Sequence, residues 1–367
     1  MNSRVAAVTF GIVSIVLVTV LVIAYAYGYR PNWEERTIDT TGILVATSDP
    51  VGASVYINDK LQTATNTTVN LKPGKYKVKI AKDGYFGWSK EIEIKKEEVF
   101  TSNAFLFPKA PDLRPITLNG AIKPTLSPDE TKIAYIVASA SATANGIYTL
   151  TMSGLPVINN VNARQVFRDN GLELSTAKGL IWSTDATTLI ASIAGKTYYQ
   201  LETDRLNLSP LIIGNRDLDL LTKPKPGLNG RIYSPDETKY LYVATVSATI
   251  PKVLTAYLPG TNPTPEVRNV VTGKTYVYDI KEDRNYEITN YQAANLRWFP
   301  TSRHLVYVDK NQIGVMEYDG SNKAIVYTGP FVNGYVFVWP NWSKIVILTS
   351  LNQPSQTGEN LYTINLR

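Results

Sequence analysis

A single histidine, His304, and the absence of cysteine set the chemical limits of this 367-residue chain. One imidazole and no thiolate exclude a Cys/His zinc site and a disulfide framework, and leave a Ser-His-Asp triad only His304 to be built on, at a position poorly suited to it. Asn215-Arg216-Asp217-Leu218-Asp219 has calcium-like spacing, but no glycine or downstream glutamate completes the loop, so it reads as a surface turn. Glycoside chemistry would need carboxylates converging on one channel. The stretches best placed to line such a channel, residues 120–126, 177–182, 228–233, 293–298 and 333–338, contain neither Asp nor Glu. Four of them carry a cation instead: Lys123, Lys178, Arg231 and Arg297. These four are out of register with one another. They either pack their stems at a rim, or give a weakly basic mouth that attracts an anionic glycan or phosphate group. No catalytic, metal-ligating or cofactor-binding residue is expected.

Those stretches precede a repeat. Ser-Pro-Asp-Glu-Thr-Lys occurs at 127–132 and again at 234–239, between apolar segments. Related apolar-turn-apolar segments lie at 182–189, 298–305 and, more weakly, 338–345. Their first residues, Leu126, Trp182, Tyr233, Trp298 and Val338, are spaced 56, 51, 65 and 40 apart, as blade repeats are. Proline presets φ for the turn, while the Ser and Asp side chains bond their own backbone. A strand pattern follows each turn, as at 133–137 and 305–308, and a third follows at 147–150, 275–278 and 313–316.

This pattern resembles the TolB-like (WD40-like) β-propeller repeat, in which a Trp-Ser-Pro-Asp-Gly turn precedes a strand. The match is clearest at 125–136, 232–243 and 315–323, and covers about 110–367. It implies an all-β propeller of about five blades, with an insertion near 247–272 in the third, or six if a degenerate copy is present. The segment 113–118 precedes any motif and is expected to complete the last blade, whose third strand is 361–365. The family glycine is replaced by Glu130, Ala186, Glu237 and Ser302. A left-handed conformation would cost these side chains about 1–2 kcal/mol, so a different turn geometry is expected. His304 holds a turn-to-strand position occupied elsewhere by Lys132, Thr188, Lys239 and Lys344, a solvent position by analogy and a poor one for catalysis.

Between residues 43 and 109 the alternation changes. Segments 54–57, 76–80 and 91–94 have the period-2 pattern of half-buried strands, separated by Asp49-Pro50, Asn58-Asp59, Lys72-Pro73-Gly74 and Lys82-Asp83-Gly84 turns. A small antiparallel sandwich is expected. Pro50-Val51-Gly52-Ala53, Leu71-Lys72-Pro73-Gly74-Lys75-Tyr76 and Asp83-Gly84-Tyr85 resemble the PEGA domain, with Val51 in place of the family glutamate. The resemblance implies a surface-protein accessory module without catalytic residues.

Residues 5–29 carry no charge, enough for a helix of about 37 Å against a hydrocarbon core of about 30 Å. Residues 1–4 with Arg4 are expected in the cytoplasm and the bulk outside, at the cell surface or in the periplasm. Tyr25, Tyr27, Tyr29 and Trp33 would form the interfacial belt, followed by a polar, irregular stalk at 30–42. A secretory signal cleaved after Ala26 is the competing reading, though the apolar run exceeds a usual signal core. Trp88, Trp298, Trp339 and Trp342 are better explained as core or anchor residues than as a sugar platform. The net charge of +6 is scattered, with no basic run suited to nucleic acid. The expected function is a non-catalytic, membrane-anchored envelope protein whose propeller binds a protein partner or wall polysaccharide. The alternative is an envelope carbohydrate-active hydrolase or lyase. So short an inner segment argues against a signalling sensor.

Overall fold

The computed structural model describes residues 3–26, 29–32, 37–138, 140–141, 143–152, 163–169, 178–193, 197–222, 230–351 and 358–367. It divides into two units: Met1–Leu106 with Lys252–Pro265, and Phe107–Pro251 with Glu266–Arg367.

The first unit opens with the helix Ser3–Ala26, whose stretch Val8–Tyr25 is apolar, long enough to cross a membrane and unburied. The expected irregular stalk is instead a hairpin, Tyr29–Asn32 against Thr37–Thr40. The β-branched run Thr37-Ile38 suits an extended strand and gives the polar segment a ladder partner. Trp33 and Tyr27 lie outside the described residues.

Next comes a sandwich of a three-stranded sheet (Thr67–Leu71, Gly42–Asp49, Val99–Phe105) and a four-stranded one (Lys60–Ala64, Ser54–Ile57, Gly74–Ala81, Trp88–Ile94). Alternate residues Leu44, Ala46, Val55, Ile57, Val78 and Ile80 bury their side chains between them, together with Trp88. The sandwich is not wholly antiparallel, because Gly42–Asp49 runs parallel to Val99–Phe105. Parallel neighbours need a long crossover, and here most of the remaining strands supply it. Gly42 is obligatory at this seam, since a Cβ there would collide with the Lys95 carbonyl oxygen. Within this unit Lys90 Nζ donates to Asn262 Oδ1 at 3.1 Å.

In the second unit the described residues form five four-stranded antiparallel sheets. The first comprises Ile122–Leu126, Lys132–Val137, Gly146–Thr151 and Ala163–Arg168; the second Gly179–Trp182, Thr188–Ile193, Thr197–Glu202 and Leu211–Ile213. The third comprises Ile232–Tyr233, Lys239–Val243, Thr275–Asp279 and Arg284–Glu287; the fourth Leu296–Trp298, His304–Asp309, Gln312–Glu317 and Ala324–Thr328. The fifth is Val336–Val338, Lys344–Thr349 and Asn360–Asn365, completed by Leu113–Pro115 from the start of the unit. Sheet faces pack on one another. Tyr135 and Leu150 of the first sheet meet Phe337 and Val346 of the fifth, and Ile136 and Phe167 meet Trp182 and Leu189 of the second. Leu241 and Val277 of the third meet Trp298 and Leu305 of the fourth. Two tryptophans bond across these seams, Trp182 Nε1 to Thr125 O (3.2 Å) and Trp298 Nε1 to Ile232 O (2.8 Å). With its last sheet completed by its first strand, the unit is a β-propeller.

The expected insertion is present: a hairpin, Ala248–Thr249 with Asn269–Val270, interrupts the third sheet. Arg268, largely buried, holds its base through Glu266 (Nε–Oε2, 2.8 Å), Pro251 O (2.9 Å) and Asp283 (Nη1–Oδ1, 3.2 Å). Asn215–Thr222 is an eight-residue helix, not the expected turn, although none of it is buried. Its first turn holds Asp217, where a carboxylate complements the helix dipole.

The repeated turns also correct an expectation. Glu130, Ala186, Glu237 and Ser302, and Trp342 in the fifth copy, all adopt the left-handed conformation, at φ of 57, 58, 58, 57 and 53°. Glu237 N donates to Ser234 O (2.8 Å) and Ser234 N to Lys239 O (2.9 Å), a turn followed by a left-handed bulge residue. The Asp236 carboxylate accepts from Ser234 Oγ (2.7 Å), Thr238 N (3.0 Å) and Thr238 Oγ1 (2.8 Å). Ser127 with Asp129 and Ser183 with Asp185 repeat this arrangement. Bonds on both sides of the strained residue leave the backbone no other route.

Glu237→Gly should therefore stabilise the propeller by about 0.5–1 kcal/mol, relief of left-handed strain outweighing the lost chain stiffness. An unchanged or lower thermal midpoint would show that the residue is not strained. At Asp236 burial opposes ionisation, but the three donors and the Lys239 charge prevail and hold the carboxyl at about 2, below its ordinary 3.8. A depressed folded pKa gives stability that is present above the unfolded value and lost as pH falls through the folded one. The thermal midpoint should thus drop between about pH 4 and pH 2, and Asp236→Asn should flatten that drop as read by circular dichroism.

Candidate functional site

The five inner strands are Ile122–Leu126, Gly179–Trp182, Ile232–Tyr233, Leu296–Trp298 and Val336–Val338, inside the stretches that the repeat pattern marks. Lys123 is exposed and left-handed (φ 50°), at an interruption of pairing between Ile122 and Thr125. Its Nζ reaches the Lys178 carbonyl at 3.2 Å, so these two come together across the first and second sheets. Arg231 lies elsewhere, its guanidinium 4.6 Å from the centre of the Tyr240 ring and hydrogen-bonded to the Tyr233 hydroxyl, which raises its pKa further. Arg297 Nη1 donates to the carbonyls of Ala294 (2.9 Å) and Leu296 (2.8 Å). The four cations therefore form no single cluster among the described contacts.

Arg297 belongs to a cavity of about 120 Å³. Asn295, Lys310 and Asn333 join it as polar lining, with Val308 and Val336 supplying apolar wall. Asn295 ends the single helical turn Ala293–Asn295 that leads into the fourth sheet, and Lys310 sits left-handed (φ 51°) in the next hairpin. Lys310 went unmarked in the sequence because it lies twelve residues beyond its repeat's first position, in an ordinary hairpin turn. Only the return of the strand His304–Asp309 beside Leu296–Trp298 brings it to Arg297. Glu130, at the turn of the first sheet, is exposed; partial desolvation raises its carboxyl pKa while the Arg297 charge pulls it back.

A second feature escaped the sequence reading. Tyr233, Tyr240, Tyr242, Tyr276 and Tyr278 share one face of the third sheet, with successive ring centres 5.4–5.6 Å apart. Tyr242 donates to Asn285 Oδ1 (2.9 Å) and Tyr278 to Asp283 Oδ1 (2.5 Å). Burial raises both hydroxyls above their ordinary pKa, so they remain neutral donors. The alternation in Tyr240-Leu241-Tyr242 and Tyr276-Val277-Tyr278 was the available signal.

His304 is not at a solvent position: it is buried. Its ring meets Phe107 edge-on at 5.6 Å and Phe299 at 5.9 Å, and Thr301 Oγ1 lies 3.2 Å from Nδ1. The fourth copy has Phe299 where three others have Ser127, Ser183 and Ser234, and Phe107 packs edge-on against it (6.0 Å), so that both rings cover His304. Trp88, Trp298 and Trp339 are core residues, as expected. Among the described residues no group of three or more His, Asp or Glu side chains stands close enough to hold a metal ion.

Residues 41–109 match the PEGA domain family. The PEGA domain thus coincides with the sandwich, and its core is the Leu44, Val55, Val78 and Trp88 cluster. Among curated proteins none matches the chain. Similar solved structures include TolB from Acinetobacter baumannii, 13% identical over 79% of this chain and 59% of that one, with a TM-score of 0.24. The WD40 β-propeller domain of Doa1 is 12% identical over 70% of this chain and 96% of its own, with a TM-score of 0.33. Oligogalacturonate lyase from Vibrio parahaemolyticus is 9% identical over 80% and 86%, with a TM-score of 0.26. The propeller assignment rests on strand pairing and not on these scores.

His304→Lys should destabilise the propeller by about 3 kcal/mol or more, because it places an ammonium group against two aromatic rings. Denaturant unfolding measures this, and a change within about 0.5 kcal/mol would return the position to the surface.

Proposed function

We propose that the chain is a membrane-tethered, non-catalytic binding or scaffolding protein of the cell envelope. The helix Ser3–Ala26 anchors it with its amino terminus in the cytoplasm, and the PEGA domain and propeller lie outside. The propeller engages an envelope protein or a wall polysaccharide. The observation that carries this reading is the order of parts: an unburied apolar span, Val8–Tyr25, joined to a PEGA domain and a propeller in one chain. An apolar stretch of that length is long enough to cross the hydrocarbon core and is better solvated there than in water, which supports the anchor. A propeller held near a membrane offers a rigid ring of loops, and rigidity lowers the ordering cost of binding. The turns between inner and second strands, fixed by their Ser-Asp networks, supply that rigidity here.

Covalent crosslinking in native membranes, followed by recovery of the tagged full-length protein, tests the reading. A stoichiometric envelope protein or covalently held wall polysaccharide is the expected product. Recovery of the chain alone, or of the chain in the soluble fraction without its first helix, would overturn it.

A further inference from the structure

We propose that the cavity holding Arg297 and Lys310 binds an oxyanion, a carboxylate or phosphoryl group carried on a larger ligand. This rests on the reading of the propeller as a binding platform and names the chemistry that the platform takes.

The repeat makes Arg297 conspicuous. Strand register places Thr125, Ile181, Ile232, Arg297 and Phe337 at equivalent positions of the five inner strands, opposite Ala134, Ile190, Leu241, Val306 and Val346. Four of the five are uncharged, and only the fourth sheet places a cation there. Nothing in the packing of a blade demands that charge, because uncharged side chains fill the same position in the other sheets.

The guanidinium is also positioned. Its Nη1 is committed to two carbonyls, Ala294 and Leu296, which fixes the plane and leaves the Nη2 and Nε donors for a ligand. Lys310 is exposed and, among the described residues, has neither an ion pair nor a hydrogen bond. Two cations on one cavity wall repel each other, and an anion between them removes that cost. Asn295 and Asn333 add amide donors, while Val308 and Val336 offer apolar surface to the carbon skeleton beside the anionic group. A volume of about 120 Å³ is several times what one water needs and accommodates such a group with its neighbouring atoms. Glu130 senses the Arg297 charge, and Asp309 precedes Lys310 in the chain, but neither acid forms an ion pair with Arg297 or Lys310 among the described residues and neither lines the cavity.

Isothermal titration of the full-length protein in nanodiscs, at low salt, with sodium glucuronate and separately with inorganic phosphate tests the assignment. Wild type should bind at least one of them. Lys310→Asn keeps a residue that tolerates the left-handed turn and should weaken binding about tenfold or more, as should Arg297→Gln. Lys123→Gln, on the first sheet, should leave binding unchanged. If Arg297→Gln proves unstable by thermal unfolding, Lys310→Asn decides alone. Glucuronate binding without phosphate identifies an acidic sugar as the source, and phosphate binding without glucuronate identifies a phosphoryl-bearing polymer or headgroup. No heat with either anion, or wild-type affinity in Lys310→Asn, would overturn the proposal. Crosslinking separates the two readings. A partner still recovered from a protein that binds neither anion leaves the platform standing and removes the pocket. Anion binding in a protein that crosslinks to nothing does the reverse.

Discussion

The propeller depends on one short antiparallel pairing. Leu113–Pro115 lies against Tyr362, Thr363 and Ile364, joining the first strand of the unit to its last blade. A row of sheets left open would expose an edge and one uncovered apolar face. The closure here is reinforced by a buried polar clamp. Asn360 Oδ1 accepts from Thr117 Oγ1 and Gly120 N, both at 3.0 Å, and Thr117 Oγ1 accepts from Leu361 N at 2.8 Å. Each of these groups would carry an unsatisfied-donor or unsatisfied-acceptor cost if the ends separated. The fifth and first sheets, whose apolar faces meet in the Tyr135, Phe337 and Val346 cluster, are kept together by that clamp.

With the ring closed, the inner turns become the places where strain is tolerated. A left-handed glutamate in an open hairpin would shift register or fray. Here Ser234 and Asp236 fix the chain on both sides of Glu237, and Asp236 N also donates to Ser302 Oγ of the neighbouring copy at 3.0 Å. Lys132 Nζ reaches the Ala186 carbonyl at 3.2 Å in the same manner between the first and second sheets. Adjacent turns therefore stabilise each other's geometry, and the substitution of the usual glycine is accommodated rather than avoided.

That accommodation explains which parts of the chain were legible. Strand positions follow from apolar alternation and from the repeated Ser-Pro-Asp turn, so the propeller repeat, the insertion in its third copy and the ring-closing strand could be read directly, while the number of blades stayed between five and six. Local cost was misread at Glu130, Ala186, Glu237 and Ser302, because the price of a left-handed residue is visible in one residue and its compensation is spread over five. The parallel pairing of Gly42–Asp49 with Val99–Phe105 joins segments about fifty residues apart, and alternation carries no information on strand direction. His304 was misplaced for a related reason: analogy among repeats assigns it to solvent, while Phe107, from outside any repeat, covers it. At the candidate site Arg297 was legible and Lys310 was not, because hairpin turns are identified by their conformation and not by where their side chains end up.

Repetition gives a further argument about function. In a fold with a single core, each buried or half-buried charge has its own neighbours, and no second copy shows what packing alone requires. Five equivalent inner strands provide that comparison within one chain. Threonine, isoleucine, isoleucine and phenylalanine occupy the position that Arg297 holds in the fourth sheet. Its neighbours in the same sheet, Leu296 and Trp298, are ordinary buried apolar residues, and Trp298 makes the same cross-seam bond as Trp182. The fourth sheet thus keeps the shared packing on both sides of Arg297 and departs from it at that residue. Phe299 and His304 also set the fourth copy apart, but they pack into its core with Phe107. Arg297 is instead exposed, on a backbone whose register the other copies share, so its charge is a property of the site and not of the fold.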